Sequence, residues 1–90
     1  MTMIDVRAGV DAMDEALVAL LVERFGYMRA AARIKADRSA VRDEPRKAVV
    51  IQNAVDLARA QGLPESLIAD LWERLVEASI AYELENFDAR

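Results

Sequence analysis

The sequence predicts an all-α protein of three helices, the first much longer than the other two. Three observations carry that expectation. Apolar residues recur at three- and four-residue steps over residues 10–35. No useful length of chain shows strict strand-like alternation. Pro45, Gly62 and Pro64 then fall where two further helices would begin and end. Ninety residues with 54% hydrophobic content fit one small domain, residues 1–90, with no internal repeat or linker.

The first helix is expected over residues 4–35. Asp5, Asp11, Asp14 and Glu15 lie in its first half and Arg29, Arg33 and Lys35 near its end, a polarity that complements the helix dipole. Gly9 and Gly26 are interior exceptions that cost up to about 1 kcal/mol each relative to Ala, so packing must support the helix. Residues 36–42 form a polar connector. Asp43 is a candidate N-cap for the second helix, with Pro45 in the first turn, where a missing N–H does no harm. That helix should reach about Gln61 and stop at Gly62, and Pro64 should open a third that continues to about Phe87. A first helix of this length is a rod of roughly 45–48 Å. A compact domain of this size has a radius of gyration of only about 12 Å, so the rod would overhang it. Its apolar stripe runs along most of that length, and a second copy of the chain is the simplest cover. An interlocked homodimer is therefore expected.

Composition removes several classes of function. The net charge is −4 with no dominant basic face, which argues against nucleic-acid binding. Without cysteine there are no disulfides or thiolate metal sites, and without histidine the commonest general base and metal ligand is gone. No metal or cofactor is expected. The longest apolar run, residues 16–22, is too short to cross a bilayer, and no secretory signal pattern opens the sequence. A cytoplasmic location follows as the default expectation.

The first helix also carries cations where a core face should be apolar. Leu17, Leu21, Arg24, Met28, Ala31 and Lys35 share one stripe, with Arg24 and Lys35 about three turns, roughly 16 Å, apart. Burying two positive charges is costly without a negative partner, and that stripe offers no pair of carboxylates. A small dianionic ligand would supply the partner. On the second helix Arg46, Val50, Asn53 and Leu57 form a stripe whose single cation sits in the first turn, beside the free N–H groups of a helix N-terminus. On the third, Trp72, Val76, Ser79 and Glu83 fall in line, two apolar and two polar. Each residue alone has a plain structural reading. Arg24 could reach solvent along its aliphatic stem, Lys35 could be the solvated last turn, and Arg46 could pair with Glu44 or Asp43. Ser79 could bond the carbonyl one turn back, and Glu83 could lie in a fraying helix end. Polar exceptions on all three stripes, taken together, favour a pocket for a small anion.

In this order the residues resemble the all-helical chorismate mutases, including their isochorismate-pyruvate lyase branch. The elements are Val6-Arg7, then Met13-Asp14-Glu15-Ala16-Leu17 leading to Leu20-Leu21 and Glu23-Arg24, Ala32-Arg33-Ile34-Lys35, Val41-Arg42-Asp43-Glu44-Pro45-Arg46, and Ser79-Ile80-Ala81-Tyr82-Glu83. The resemblance covers essentially the whole chain. It implies an intertwined homodimer in which Arg7 enters the partner's pocket and binds a carboxylate, while Arg24 and Arg46 bind carboxylates within the subunit. It further implies that Lys35 donates to the ether oxygen of the breaking bond and that Glu83 occupies the second position on that oxygen. Asp43 would lie near the ring hydroxyl, Ser79 would assist a ring substituent or carboxylate, and Ala31, Val50 and Val76 would form apolar walls.

The implied chemistry suits a chain without His or Cys. The chorismate rearrangement is pericyclic and needs no proton transfer. It needs a selected conformer and stabilised charge on the ether oxygen. Two departures from the family pattern bear on the substrate. Many members carry Gln where this chain has Glu83, and an ionised carboxylate would repel a developing oxyanion. Glu83 is therefore expected to serve only when protonated, with activity falling as pH rises. Many mutases also have Glu where this chain has Lys47, which removes an acceptor for the ring hydroxyl. Chorismate mutase is the first expectation and isochorismate-pyruvate lyase the second. A 4-amino-4-deoxychorismate mutase and an inactive helical dimer module also stay open.

Overall fold

A computed structural model describes residues 1–90 as three α-helices without strands. The helices are α1 (Met3–Ile34), α2 (Glu44–Ala60) and α3 (Glu65–Asp88), with one 3₁₀ turn (Arg38–Ala40) between α1 and α2. All-α architecture with a dominant first helix is what the sequence predicts, and each boundary falls within about one residue of expectation.

Local chemistry sets those boundaries. The start of α1 is a capping box: the Asp5 N–H donates to Thr2 Oγ1 at 3.3 Å, and the Thr2 N–H donates to the Asp5 carboxylate at 2.8 Å. At the other end, Lys35 leaves the helix with φ −63° and ψ 134°, its N–H still bonded to the Ala31 carbonyl. Asp43 caps α2 as expected, its Oδ1 accepting from the Arg46 N–H at 2.9 Å. Gly62 closes α2 with φ +77°, a conformation that favours glycine. There the Leu63 N–H reaches the Ala58 carbonyl at 2.9 Å and the Gly62 N–H reaches that of Arg59 at 3.3 Å, a Schellman closure.

Packing centres on α3. It contacts α1 on one side and α2 on the other, and α1 and α2 do not pack on each other. A small core of Val41, Val76 and Ile80, joined by half-buried Val50, Ile51, Leu84 and Phe87, holds α2 and the connector to α3. Phe25 meets Tyr82 edge-on, with centroids 4.9 Å apart, where α1 crosses α3. A polar brace reinforces the α2 side. Arg42 binds both oxygens of Glu77 at 2.9 and 3.0 Å, and Lys47 binds Glu73 at 2.7 Å and Glu77 at 3.1 Å.

The expectation of a core stripe along α1 holds only for its C-terminal third. Residues 3–23 are exposed throughout, including Leu17 at 58% and Leu21 at 39%. The reason is geometric, because α3 runs alongside only the last turns of α1 and the rest projects past the domain. The extents of 53 × 25 × 15 Å and radius of gyration of 16.1 Å reflect that overhang, against about 12 Å for a compact chain of this length. No helix is long and apolar enough to cross a membrane.

Candidate active site

Because α1 and α2 both pack on α3 but not on each other, a cleft remains between them with α3 as its floor. Its volume is about 760 Å³. The three stripes read from the sequence converge there. Arg24 and Ala31 come from α1, Lys35 from its C-cap, Asp43 from the α2 N-cap, Arg46 and Val50 from α2, and Val76, Ser79 and Glu83 from α3. Leu17 and Leu21 do not reach it. Arg7 lies on the exposed overhang and is not among the residues lining its own chain's cleft.

The helical repeat explains the convergence. Arg24, Ala31 and Lys35 are seven and four residues apart, so one face of the last three turns of α1 looks into the cleft. Val76, Ser79 and Glu83 do the same from α3, stacked at steps of three and four. Val76, Ser79 and Glu83 are buried, at 7%, 3% and 5% exposure.

Hydrogen bonding answers the question of the unpaired cations and corrects one expectation. Lys35 is not without a protein partner: its Nζ donates to Glu83 Oε2 at 2.8 Å. The carboxylate absent from its own stripe comes from α3, 48 residues on. Glu83 is therefore no fraying end but a buried acceptor. Arg24 has no carboxylate partner. Its Nη1 donates to Ser79 Oγ at 2.6 Å, and the Ser79 hydroxyl donates to the Leu75 carbonyl at 2.7 Å. That back-bond fixes the serine so that its lone pairs meet the arginine. Burial holds the Arg24 guanidinium below its ordinary value, as expected for a desolvated cation without an anion. Arg46 makes no ion pair with Asp43 or Glu44. Asp43 spends its carboxylate on the Arg46 backbone N–H, and Glu44 pairs with Arg42 at 2.8 Å. Two cations, Arg24 and Arg46, thus face the cleft uncompensated, and Arg46 adds its charge to the positive end of α2.

Lys47 also lines the cleft, but its ammonium is turned onto Glu73 and Glu77. Those carboxylates raise the Lys47 value above its usual range. In turn, Arg42 and Lys47 hold the Glu77 carboxyl down at about 2. Glu73 and Glu77 were not singled out in the sequence, although their i, i+4 spacing on α3 was a usable signal for a shared cation. Asn53, present in the α2 stripe but given no role, also lines the cleft, below Val50.

Chemically, the cleft offers two guanidinium groups without carboxylate partners, apolar walls at Ala31, Val50 and Val76, and a Lys35–Glu83 pair. Such a site suits a small apolar ring carrying two acidic groups.

Comparison with known proteins points the same way. Residues 6–84 match the family described as chorismate mutase type II. The isochorismate pyruvate lyase of Pseudomonas aeruginosa is 28% identical over 80 residues, which span 89% of this chain and 79% of the lyase. With the profile covering all three helices and the cleft between them, the chain belongs to the chorismate mutase type II family.

Proposed function

We propose that this protein is a chorismate mutase that converts chorismate to prephenate. The observation that carries this reading is the pairing pattern in the cleft, where Arg24 and Arg46 face inward without carboxylates while Lys35 stands on Glu83. Arg24 and Arg46 bind the substrate carboxylates and fold the side chain over the ring, so that the two carbons to be joined meet in the reactive conformer. Ala31, Val50 and Val76 exclude water from the ring. Lys35 donates to the ether oxygen as its bond to carbon breaks and negative charge grows there. Glu83 holds the Lys35 ammonium in place beside that oxygen. Ser79 fixes the Arg24 fork, and Asp43 orders the N-terminal turn of α2 next to the ring hydroxyl. The electron pairs move in one cycle, and no proton leaves the substrate.

The active form in this reading is a homodimer. The apolar residues of α1 between positions 3 and 23 are uncovered in a single chain, and the cleft is open on one side. A second copy packed along the overhang covers the stripe, and Arg7 of each chain then completes the partner's site with a third cation.

Lyase activity on isochorismate is the second reading, supported by the similarity to the Pseudomonas aeruginosa lyase and by Lys47. With its ammonium committed to Glu73 and Glu77, Lys47 offers the ring hydroxyl of chorismate no acceptor. Incubation of the purified protein with chorismate, isochorismate and 4-amino-4-deoxychorismate, with products separated by chromatography, decides among them. Prephenate from chorismate supports the mutase. Salicylate plus pyruvate from isochorismate, with little prephenate, replaces it with the lyase. No conversion of any of the three by folded protein leaves an inactive helical module.

A further inference from the structure

The end of α1 lacks the usual closure. Lys35 leaves the helix in an extended conformation, no glycine follows it, and the last carbonyls of α1 have no intrahelical donors. One of them, that of Ala32, is met instead by a side chain from the far end of the sequence, which also binds two carbonyls just past the helix. Arg90 Nη1 donates to the Ala32 carbonyl at 3.0 Å and to that of Lys35 at 2.7 Å, and its Nη2 donates to that of Ala36 at 3.3 Å. The guanidinium is seated on the Phe87 ring, 3.7 Å from the centroid. Phe87 packs against the Val41, Val76 and Ile80 core. Two residues before Arg90, Asp88 binds Arg38 through Nε at 2.9 Å and Nη2 at 3.4 Å, holding the connector on the other side of Lys35. Arg90 and Asp88 both lie beyond the residues that match the family profile, which ends at 84.

We propose that Arg90 is a positioning residue for Lys35: by capping the end of α1 it fixes the backbone from which the ammonium enters the cleft. The inference rests on the reading of Lys35 as donor to the reacting oxygen. The physical need is plain. A lysine ammonium sits on four rotatable bonds, and residue 35 belongs to no helix. Apart from Arg90, its backbone is held by a single bond, from its N–H to the Ala31 carbonyl at 2.9 Å. Without the guanidinium, two carbonyls at the foot of the side chain turn toward water, and residue 35 rotates away from Glu83. A displacement of about 1 Å in a group that acts on the transition state can cost up to about a hundredfold in rate. Arginine suits the task because its rigid fork spans three carbonyls at once. A lysine can satisfy fewer of them in fixed geometry. Its charge also complements the negative end of the α1 dipole.

The test is a double-mutant cycle with an independent readout. Arg90→Ala is expected to lower kcat by about tenfold with KM within about threefold, because the carboxylate-binding Arg24 and Arg46 are untouched. Arg90→Lys should recover part of that loss. In a Lys35→Ala background, Arg90→Ala should have almost no further effect, since the group it positions is gone. An equal loss in both backgrounds overturns the proposal and makes Arg90 a general structural residue. So does an unchanged kcat in the single variant. Amide hydrogen exchange supplies the second readout. Exchange at Lys35 should rise about tenfold in Arg90→Ala while Val76 and Ile80 stay protected. If the wild-type protein converts neither chorismate nor isochorismate, the functional reading alone fails. Unchanged exchange at Lys35 then overturns the clamp itself.

Discussion

Replacing Glu83 with Gln tests the contact on which the chemistry turns. Glu83 is buried, and its Oε2 lies 2.8 Å from Lys35 Nζ. A substrate oxygen held by Lys35 at ordinary hydrogen-bond length would lie about 4 Å from that carboxylate. Two unit charges at that distance repel by about 4 kcal/mol at an effective dielectric constant near 20. The oxygen carries only part of a charge and the Lys35 side chain is 30% exposed, so water screens the site. About a third of that figure, near 1.4 kcal/mol or tenfold, is the expected penalty. Glutamine keeps the size and an acceptor for Lys35, supplies an N–H and carries no charge. The Glu83→Gln variant should therefore convert chorismate with kcat/KM about tenfold above wild type. Prephenate formation is the assay. An equal or lower kcat/KM in the variant would refute the reasoning.

Three further outcomes follow from the geometry. An aspartate at Leu21, on the uncovered stripe of α1, should yield a monomer by sedimentation, whereas the wild-type unfolding midpoint should rise with protein concentration. A monomeric wild type with a concentration-independent midpoint removes both the dimer and the role of Arg7. Arg24→Ala deletes a charge-assisted contact of about 1.5–3 kcal/mol and should raise KM or weaken dianion binding by roughly ten- to a hundredfold, so unaltered binding would remove Arg24 from the site. Glu77→Gln tests the polar brace. The Glu77 carboxyl is lowered from 4.5 to about 2 by hydrogen bonds from Arg42 and Lys47. Its stabilisation is therefore full above about pH 4.5 and lost as pH falls toward 2. The variant's unfolding midpoint should vary less across that interval, and an identical slope in the two proteins would contradict the assignment.

What the sequence determined by itself is the set of helices and the face each one turns toward the cleft. Asp43 with Pro45, and Gly62 with Pro64, act over one or two turns, so the helix ends around them were legible without a fold. The stripes of Arg24, Ala31 and Lys35, of Arg46 and Val50, and of Val76, Ser79 and Glu83 follow from the 3.6-residue repeat alone. Local spacing could not say how those stripes meet. That Lys35 stands on Glu83, that Arg24 rests on Ser79, and that Lys47 turns to Glu73 and Glu77 depends on how α1 and α2 lie against α3. Tertiary structure also decided which part of the long apolar stripe is core. The last turns of α1 lie on α3, while Leu17 and Leu21 stay exposed because no element of the same chain reaches them. The cap of Arg90 on the carbonyls of Ala32, Lys35 and Ala36 is of the same kind, joining residues more than fifty positions apart. Periodicity fixes the direction of a side chain about its own helix axis, but partners so distant in sequence are chosen only when the helices pack.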